Sequence, residues 1–267
     1  MHRTPWRLVA ALSITAVAAC RPDFELKKLT SNEALYTASL KEYGRKRWDN
    51  AVTGFEKLTT DLPPRDTLLP RSYWYLASAH EHLGEHLLAA QSFSRLVESF
   101  PEDTLADDAA LASSRAYAKL WRRPQLDAMY GETAISSYNT LIGLYPDSPL
   151  IPVAQREIAD LENKLAIKDY EAGDYYFHRK WYDSGIIYFK DVVAKFGTTP
   201  TARLAMLRLV QSYKAIKYMD DAADQCAQLK QRYPTDRDVR HTCSDVPVVA
   251  VKPDSAPAPV ATKPPAR

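Results

Sequence analysis

The sequence predicts an all-α solenoid of about five helix pairs, and three observations lead there. Apolar residues recur at i, i+3, i+4 and i+7, as at Tyr73, Leu76, Ala77 and His80, which is one face of a 3.6-period helix. A helix-ending residue closes each pair, at Pro63, Pro101, Pro146, Gly197 and Pro234, with spacings of 38, 45, 51 and 37 residues. The composition, 46% hydrophobic with 16 tyrosines and only 8 glycines, suits stacked helices and removes most phosphate-loop chemistry.

The stretch Tyr73 to Pro101 shows how one pair is specified. Gly84 breaks the first helix, and the second places Ala89, Phe93, Leu96, Val97 and Phe100 on one stripe. Pro101 ends it, because proline has no N–H to donate and disfavours helix in the residue before it. Ala77 and Ala89 let the two helices approach closely, with Phe93 between them. The unit resembles a tetratricopeptide (TPR) repeat, whose minimal length is 34 residues. Its recurrence exceeds the roughly three copies that a stack needs to bury a continuous core.

The remaining elements follow in order. Residues 1–19 read as a signal peptide: Arg3 and Arg7, then the apolar run Leu8 to Val17, too short to span a bilayer. Val17-Ala18-Ala19-Cys20 resembles a bacterial lipobox, which implies that Cys20 is acylated (the palmitate-bearing class of lipoproteins) and becomes the new N-terminus. Arg21 after the cysteine implies the outer membrane. Residues 20–31 read as a tether, and Ser31 or Asn32 can cap the first helix.

Repeat one uses Tyr36, Ser39, Leu40 and Tyr43, then Trp48, Ala51, Phe55 and Leu58. Repeat three uses Ala109, Ala112, Ala116 and Tyr117, then Ala134, Tyr138 and Leu141. An insertion lies between its arms, and Trp121 to Gly131 is expected to project from the stack. Residues 150–167 make a linking helix. Repeat four has Gly173, Tyr176, Tyr182, Gly185, Phe189 and Val192, with Gly197 expected to end its second helix as a C-cap glycine. Repeat five has Met206, Leu209, Val210, Tyr213, Met219, Ala222, Cys226 and Leu229. The superhelix is expected to span 32–245, and the Pro- and Ala-rich residues 246–267 to form a tail unable to order itself.

The formal charge of +2 carries no nucleic-acid footprint, since Arg3 and Arg7 supply the excess from the segment expected to be removed. Three cysteines are too few for a disulfide-built scaffold. Cys226 and Cys243 lie eight and nine residues either side of Pro234, so a short helix folding back there brings their sulfurs level and a bond between them is expected. His80, His82 and His86 lie close together, but Gly84 interrupts the pair and no carboxylate and cysteine set accompanies it, so no metal and no cofactor are expected. No nucleophile elbow, zinc-protease motif or phosphate loop occurs, so no enzyme is expected.

In a TPR array the first-helix residues outside the packing stripe face the concave groove. Here they are Tyr36, Leu40, Tyr43, Arg71, Trp74 and Ser78 in repeats one and two, and Tyr170, Asp174, Phe177, Leu207, Gln211 and Lys214 in repeats four and five. Aromatic residues there suit an extended peptide, since they give contact area with little rotamer entropy lost. Trp74 and Tyr36 packed into neighbouring repeats is the competing arrangement.

The lipobox at Cys20, the run Asn32-Glu33-Ala34-Leu35-Tyr36 twelve residues before Trp48, the long-spaced repeats, Arg123-Pro124-Gln125 and Tyr145-Pro146-Asp147-Ser148 together resemble the BamD family of outer-membrane protein assembly lipoproteins. The resemblance covers about residues 20–235. It implies a scaffold of the β-barrel assembly machinery on the periplasmic face of the outer membrane, joined by other assembly lipoproteins. Tyr36, Arg71 and Trp74 would face the C-terminal segments of unfolded barrel substrates, and Tyr213 and Lys214 would face the POTRA domains of a BamA-like barrel subunit. Gly197 and the Pro-rich tail depart from the family pattern. The rival reading is a periplasmic TPR lipoprotein that coordinates another envelope or division complex; a metal-dependent hydrolase on His80, His82 and His86 is a rival of a different class.

Overall fold

The computed structural model describes residues 24–246, so the signal peptide, Cys20 and residues 247–267 lie outside the described residues. Eleven α-helices and no strand occur among the described residues: α1 (Asn32–Gly44), α2 (Trp48–Asp61), α3 (Leu69–Leu83), α4 (His86–Ser99), α5 (Ala106–Leu120), α6 (Met129–Leu144), α7 (Ile151–His178), α8 (Tyr182–Lys195), α9 (Pro200–Ala215), α10 (Met219–Arg232) and α11 (Arg237–Thr242). Each helix packs on the next, and α1 and α7 also reach the first helix of the following pair, as in a TPR stack. The result is five antiparallel pairs closed by the short α11.

The small residues work as the sequence implies. Ala77 and Ala89 are fully buried and Phe93 sits with them in the core. Gly54 permits the closest crossing: a Cβ built on it would stand 2.0 Å from Ser39 Oγ, so any side chain there would push α1 off α2. Ser31 caps α1 by accepting from the Ala34 N–H at 3.1 Å. Gly84 ends α3 at φ +78°, where glycine avoids the steric penalty of a Cβ.

Five expectations are corrected. Residues 24–31 are more than a tether, because Phe24, Leu26 and Leu29 pack on the first repeat's core around a 3-10 turn, Leu26–Lys28. The linking helix and the first helix of repeat four are one 28-residue helix, α7, since nothing between 150 and 178 after Pro152 breaks it. The insertion does not project. Trp121 is only 2% exposed and lies where a Cβ on Gly131 would stand, 2.3 Å from its ring, while Gln125 donates to Glu171 (2.7 Å) and Lys168 to the Leu126 carbonyl (2.7 Å), tying the loop to α7. Gly197 is not a left-handed cap: a side chain is barred there because its Cβ would stand 2.8 Å from the Val193 carbonyl oxygen. Val246, assigned to the tail, is buried in the C-terminal core.

That end of the stack is held by three devices. Cys226 and Cys243 form a disulfide with Cα atoms 5.8 Å apart. Asp236 caps α11 by accepting from the Asp238 and Val239 N–H groups. Arg203 grips Asp236 with two bonds of 2.6 and 2.8 Å and Asp238 at 2.7 Å, a bidentate geometry that raises the pKa of the guanidinium and depresses that of the Asp236 carboxyl to about 2.

Candidate functional site

The first helices α1, α3 and α5 enclose a groove of about 330 Å3. Its apolar side is made by Tyr43, Trp74, Phe93 and Leu111, with Ser78 between them. Trp74 is half-buried and meets Phe93 edge-to-face, ring centres 5.2 Å apart, so it is both a packed residue and a groove wall. Ser78 gives its hydroxyl proton to the Trp74 carbonyl at 2.8 Å, the bond a serine inside a helix makes to the preceding turn. Burial raises the pKa of the Tyr43 phenol above the ordinary tyrosine value, against a smaller lowering by Ser78.

The rim is charged. Lys119 of α5 pairs with Glu81 of α3, and His86 meets the same carboxylate at 2.8 Å. Burial alone would raise the Glu81 pKa, but Lys119 and His86 outweigh it and the net shift is downward. Arg115 holds Glu157 of α7 with contacts of 2.5 to 3.0 Å, and Tyr138 gives its hydroxyl proton to the same Glu157. The groove therefore offers aromatic faces, an amphipathic floor and fixed charges of both signs.

The residues expected to bind substrate do not all meet. Tyr43, Trp74 and Ser78 line this groove. Tyr36 packs edge-on against Phe55 at 6.0 Å, and Leu40 sits with it against the first repeat's core. Arg71 is exposed and lines a separate polar hollow with Asp103 and Thr104. Arg115, Lys119 and Asp108 join the groove from α5, because the first helix of repeat three turns its non-stripe residues inward as those of the other repeats are expected to do.

The second expected set is divided more sharply. Leu207 is 8% and Tyr213 5% exposed, both in the C-terminal core, so neither can face a partner. The reason is α9 itself: packed against α7, α8, α10 and α11, it buries nine of its 16 residues and has little free face. Lys214 is engaged within the chain, bonding Asp245 at 2.5 Å and lowering that carboxyl's pKa. Tyr170, Asp174, Phe177 and Gln211 do come together, around a residue the sequence reading omitted. Arg208 stacks over the Phe177 ring at 4.5 Å, lies 2.9 Å from Asp174, and donates to Gln211 at 2.9 Å and to the Tyr170 hydroxyl at 3.3 Å.

The three histidines turn to different partners. His80 is buried against Glu85 at 2.7 Å, His82 stacks on Trp48 with ring centres 4.0 Å apart, and His86 meets Glu81. No group of metal-ligating side chains occurs among the described residues.

Fold and groove define a helical-repeat protein of the tetratricopeptide class. The chain belongs to the YfiO family, described as outer membrane lipoprotein, whose model matches residues 29–235. It is similar to the outer membrane protein assembly factor BamD of Caulobacter vibrioides, 24% identical over 86% of this chain and 76% of the relative. The BamD of Buchnera aphidicola subsp. Acyrthosiphon pisum is 22% identical over 74% of this chain and 85% of its own. Among solved structures, a TPR repeats protein from Bacteroides fragilis aligns over 81% of this chain and 98% of its own, with 12% identity and a TM-score of 0.48.

Proposed function

We propose that this chain is a lipid-anchored scaffold of outer-membrane protein assembly, whose groove between α1, α3 and α5 holds an extended segment of an unfolded β-barrel substrate. The observation that carries the reading is the groove itself. Tyr43 and Trp74 offer aromatic walls to alternate side chains of an extended strand, with Phe93 packed behind Trp74, and Lys119 and Arg115 on the rim, half-exposed beside Glu81 and Glu157, keep N–H groups for a terminal carboxylate. The family's description as outer membrane lipoprotein supports the location, and the relatives named as assembly factors support the process. The Arg208 cluster with Tyr170, Phe177 and Gln211 is the second contact surface, for the POTRA domains of a BamA-like subunit, with Leu207, Tyr213 and Lys214 behind it as support. Other assembly lipoproteins join the complex, and Cys20 carries the acyl anchor.

The test is titration with a peptide from the C-terminal end of a barrel protein. Trp74→Ala lowers affinity by about 2 kcal/mol, the scale of an interface hot spot. It costs the fold about 2 kcal/mol, roughly half from the lost Phe93 pair and half from the ring area that was buried. Intact affinity in the folded variant would sink the groove. Cys20→Ser abolishes palmitate labelling; unchanged labelling would sink the anchor. Recovery of division or other envelope proteins, with no POTRA-containing subunit, would favour a coordinator of another complex.

A further inference from the structure

The two edges of the stack differ in a way that the groove does not use. The connections inside each pair, 45–47, 84–85, 121–128, 179–181 and 216–218, hold eight basic residues against two acidic ones. The connections between pairs, 62–68, 100–105, 145–150, 196–199 and 233–236, hold one basic residue against five acidic ones.

Four of the intra-pair turns share one geometry: the N–H groups of Arg47, Glu85, Trp181 and Tyr218 donate to the carbonyls of Glu42, His80, Tyr176 and Tyr213 at 2.9 to 3.0 Å. The residue before each donor is left-handed. In one turn it is Gly84, but in the other three it is Lys46 (φ +58°), Lys180 (+62°) and Lys217 (+64°), where a side chain is strained relative to glycine. The next residues, Arg47, Trp181 and Tyr218, are N-caps without a capping side chain, where Ser, Asp or Asn would stabilise the helix. The left-handed position thus gives up local stability three times over, and what stands there in place of glycine is lysine, followed by arginine, tryptophan or tyrosine. Trp181 and Tyr218 are 55% and 56% exposed. Leu126 and Met129 are exposed beside Arg122 and Arg123 on the same edge. The first-turn aspartates Asp49, Asp183 and Asp220 sit where they complement helix N-termini.

Exposed Trp and Tyr interleaved with Lys and Arg is the chemistry of a membrane interface: amphipathic rings sit at headgroup depth and long cations reach anionic phosphates. The N-terminal segment points the same way. Residue 31 starts on the acidic edge, yet Phe24 lies against Gly54, halfway along α2, so the chain runs back toward the basic edge. Cys20 is four residues further, a reach of about 14 Å, and the rise from Gly54 to Trp48 is about 9 Å.

We propose that the edge bearing Lys46, Lys180, Trp181, Lys217 and Tyr218 lies against an anionic phospholipid surface. This rests on the reading of the chain as membrane-attached. It fixes the orientation of the stack, with the acidic edge away from the bilayer.

The full acylated chain, purified from membranes, is reconstituted into equimolar phosphatidylcholine and phosphatidylglycerol vesicles with brominated acyl chains. Tryptophan quenching is expected to be greater in the wild type than in Trp181→Phe, and greater than in vesicles of phosphatidylcholine alone. The triple variant Lys46→Gly, Lys180→Gly, Lys217→Gly is expected to lose that quenching while melting no lower than the wild type, since glycine relieves the strain. Asp147→Trp, placed on the opposite edge in the Trp181→Phe background, is expected to add none. Unquenched Trp181 overturns the proposal and is the outcome if the edge serves an acidic protein instead. Quenching that survives the glycine variant, or that is equal at position 147 or in neutral vesicles, also overturns it. Loss of carbonate-resistant association with Trp181 still quenched supports the edge and overturns the anchor.

Discussion

Reducing the Cys226–Cys243 bond isolates one fastening of the C-terminal end. The bond closes a loop of 17 residues, and the chain-entropy relation assigns about 3 kcal/mol to a closure of that length. The loop contains only the end of α10, the turn at Pro234 and α11, so the effect is local: it frees the terminal element rather than the whole stack. Arg203 still grips Asp236 and Asp238, and Val239 remains buried, so α11 stays docked most of the time after reduction. What changes is how often it opens. About 3 kcal/mol corresponds to roughly a 100-fold rise in opening, read by amide exchange at Cys243, whose N–H donates to the Val239 carbonyl. Paired Cys226→Ala and Cys243→Ala substitutions are the control, because alanine puts no hydroxyl into the apolar site. Exchange at Cys243 that is unchanged by reduction, with amides of α3 and α4 as reference, would refute the reasoning.

Acid should loosen the same end. Arg203 holds the Asp236 carboxyl at about 2, below the ordinary aspartate value near 3.9, so the folded chain binds fewer protons than the unfolded one between those values. The stabilisation is complete above the ordinary value and is lost as pH falls through about 2; melts of the wild type should drop through this window, and Asp236→Asn should flatten the drop. An unaltered acid profile in Asp236→Asn would contradict the pairing. Gly131→Ala should lower stability by about 1 to 3 kcal/mol, because the added methyl meets the Trp121 ring in a filled core; a neutral melt would mean that the loop can yield.

The helix pairs were legible because their stop signals are strong: Pro63, Pro101, Pro146 and Pro234 each fall within two residues of a helix end. The pairing of Cys226 with Cys243 was legible for a similar reason, since equal helical distances either side of a turn set two side chains level. Errors arose where one local signal had two physical origins. Trp121 follows a helix end and precedes two arginines, so it reads as loop, yet Gly131 leaves a hollow for its ring that only the fold reveals. Leu207 occupies a non-stripe position that would be surface on a helix with one buried face, and α9 has several; Tyr213 lies in the packing stripe itself, and only the family resemblance turned it toward a partner. Half of the groove was legible through Tyr43, Trp74 and Ser78. Its charged rim, Arg115 and Lys119, lies on the helix to which the rule was not carried, and the Arg208 cluster depends on cross-helix distances that no spacing within one helix encodes.

In cells, a photo-crosslinker at Ser78 inside the groove, compared with one at Gln91 on the exposed face of α4, tests the central claim most directly. The account predicts that unfolded β-barrel precursors are captured from position 78 and not from position 91, and that Trp74→Ala removes the capture. No precursor at position 78, or equal capture at both, would contradict it.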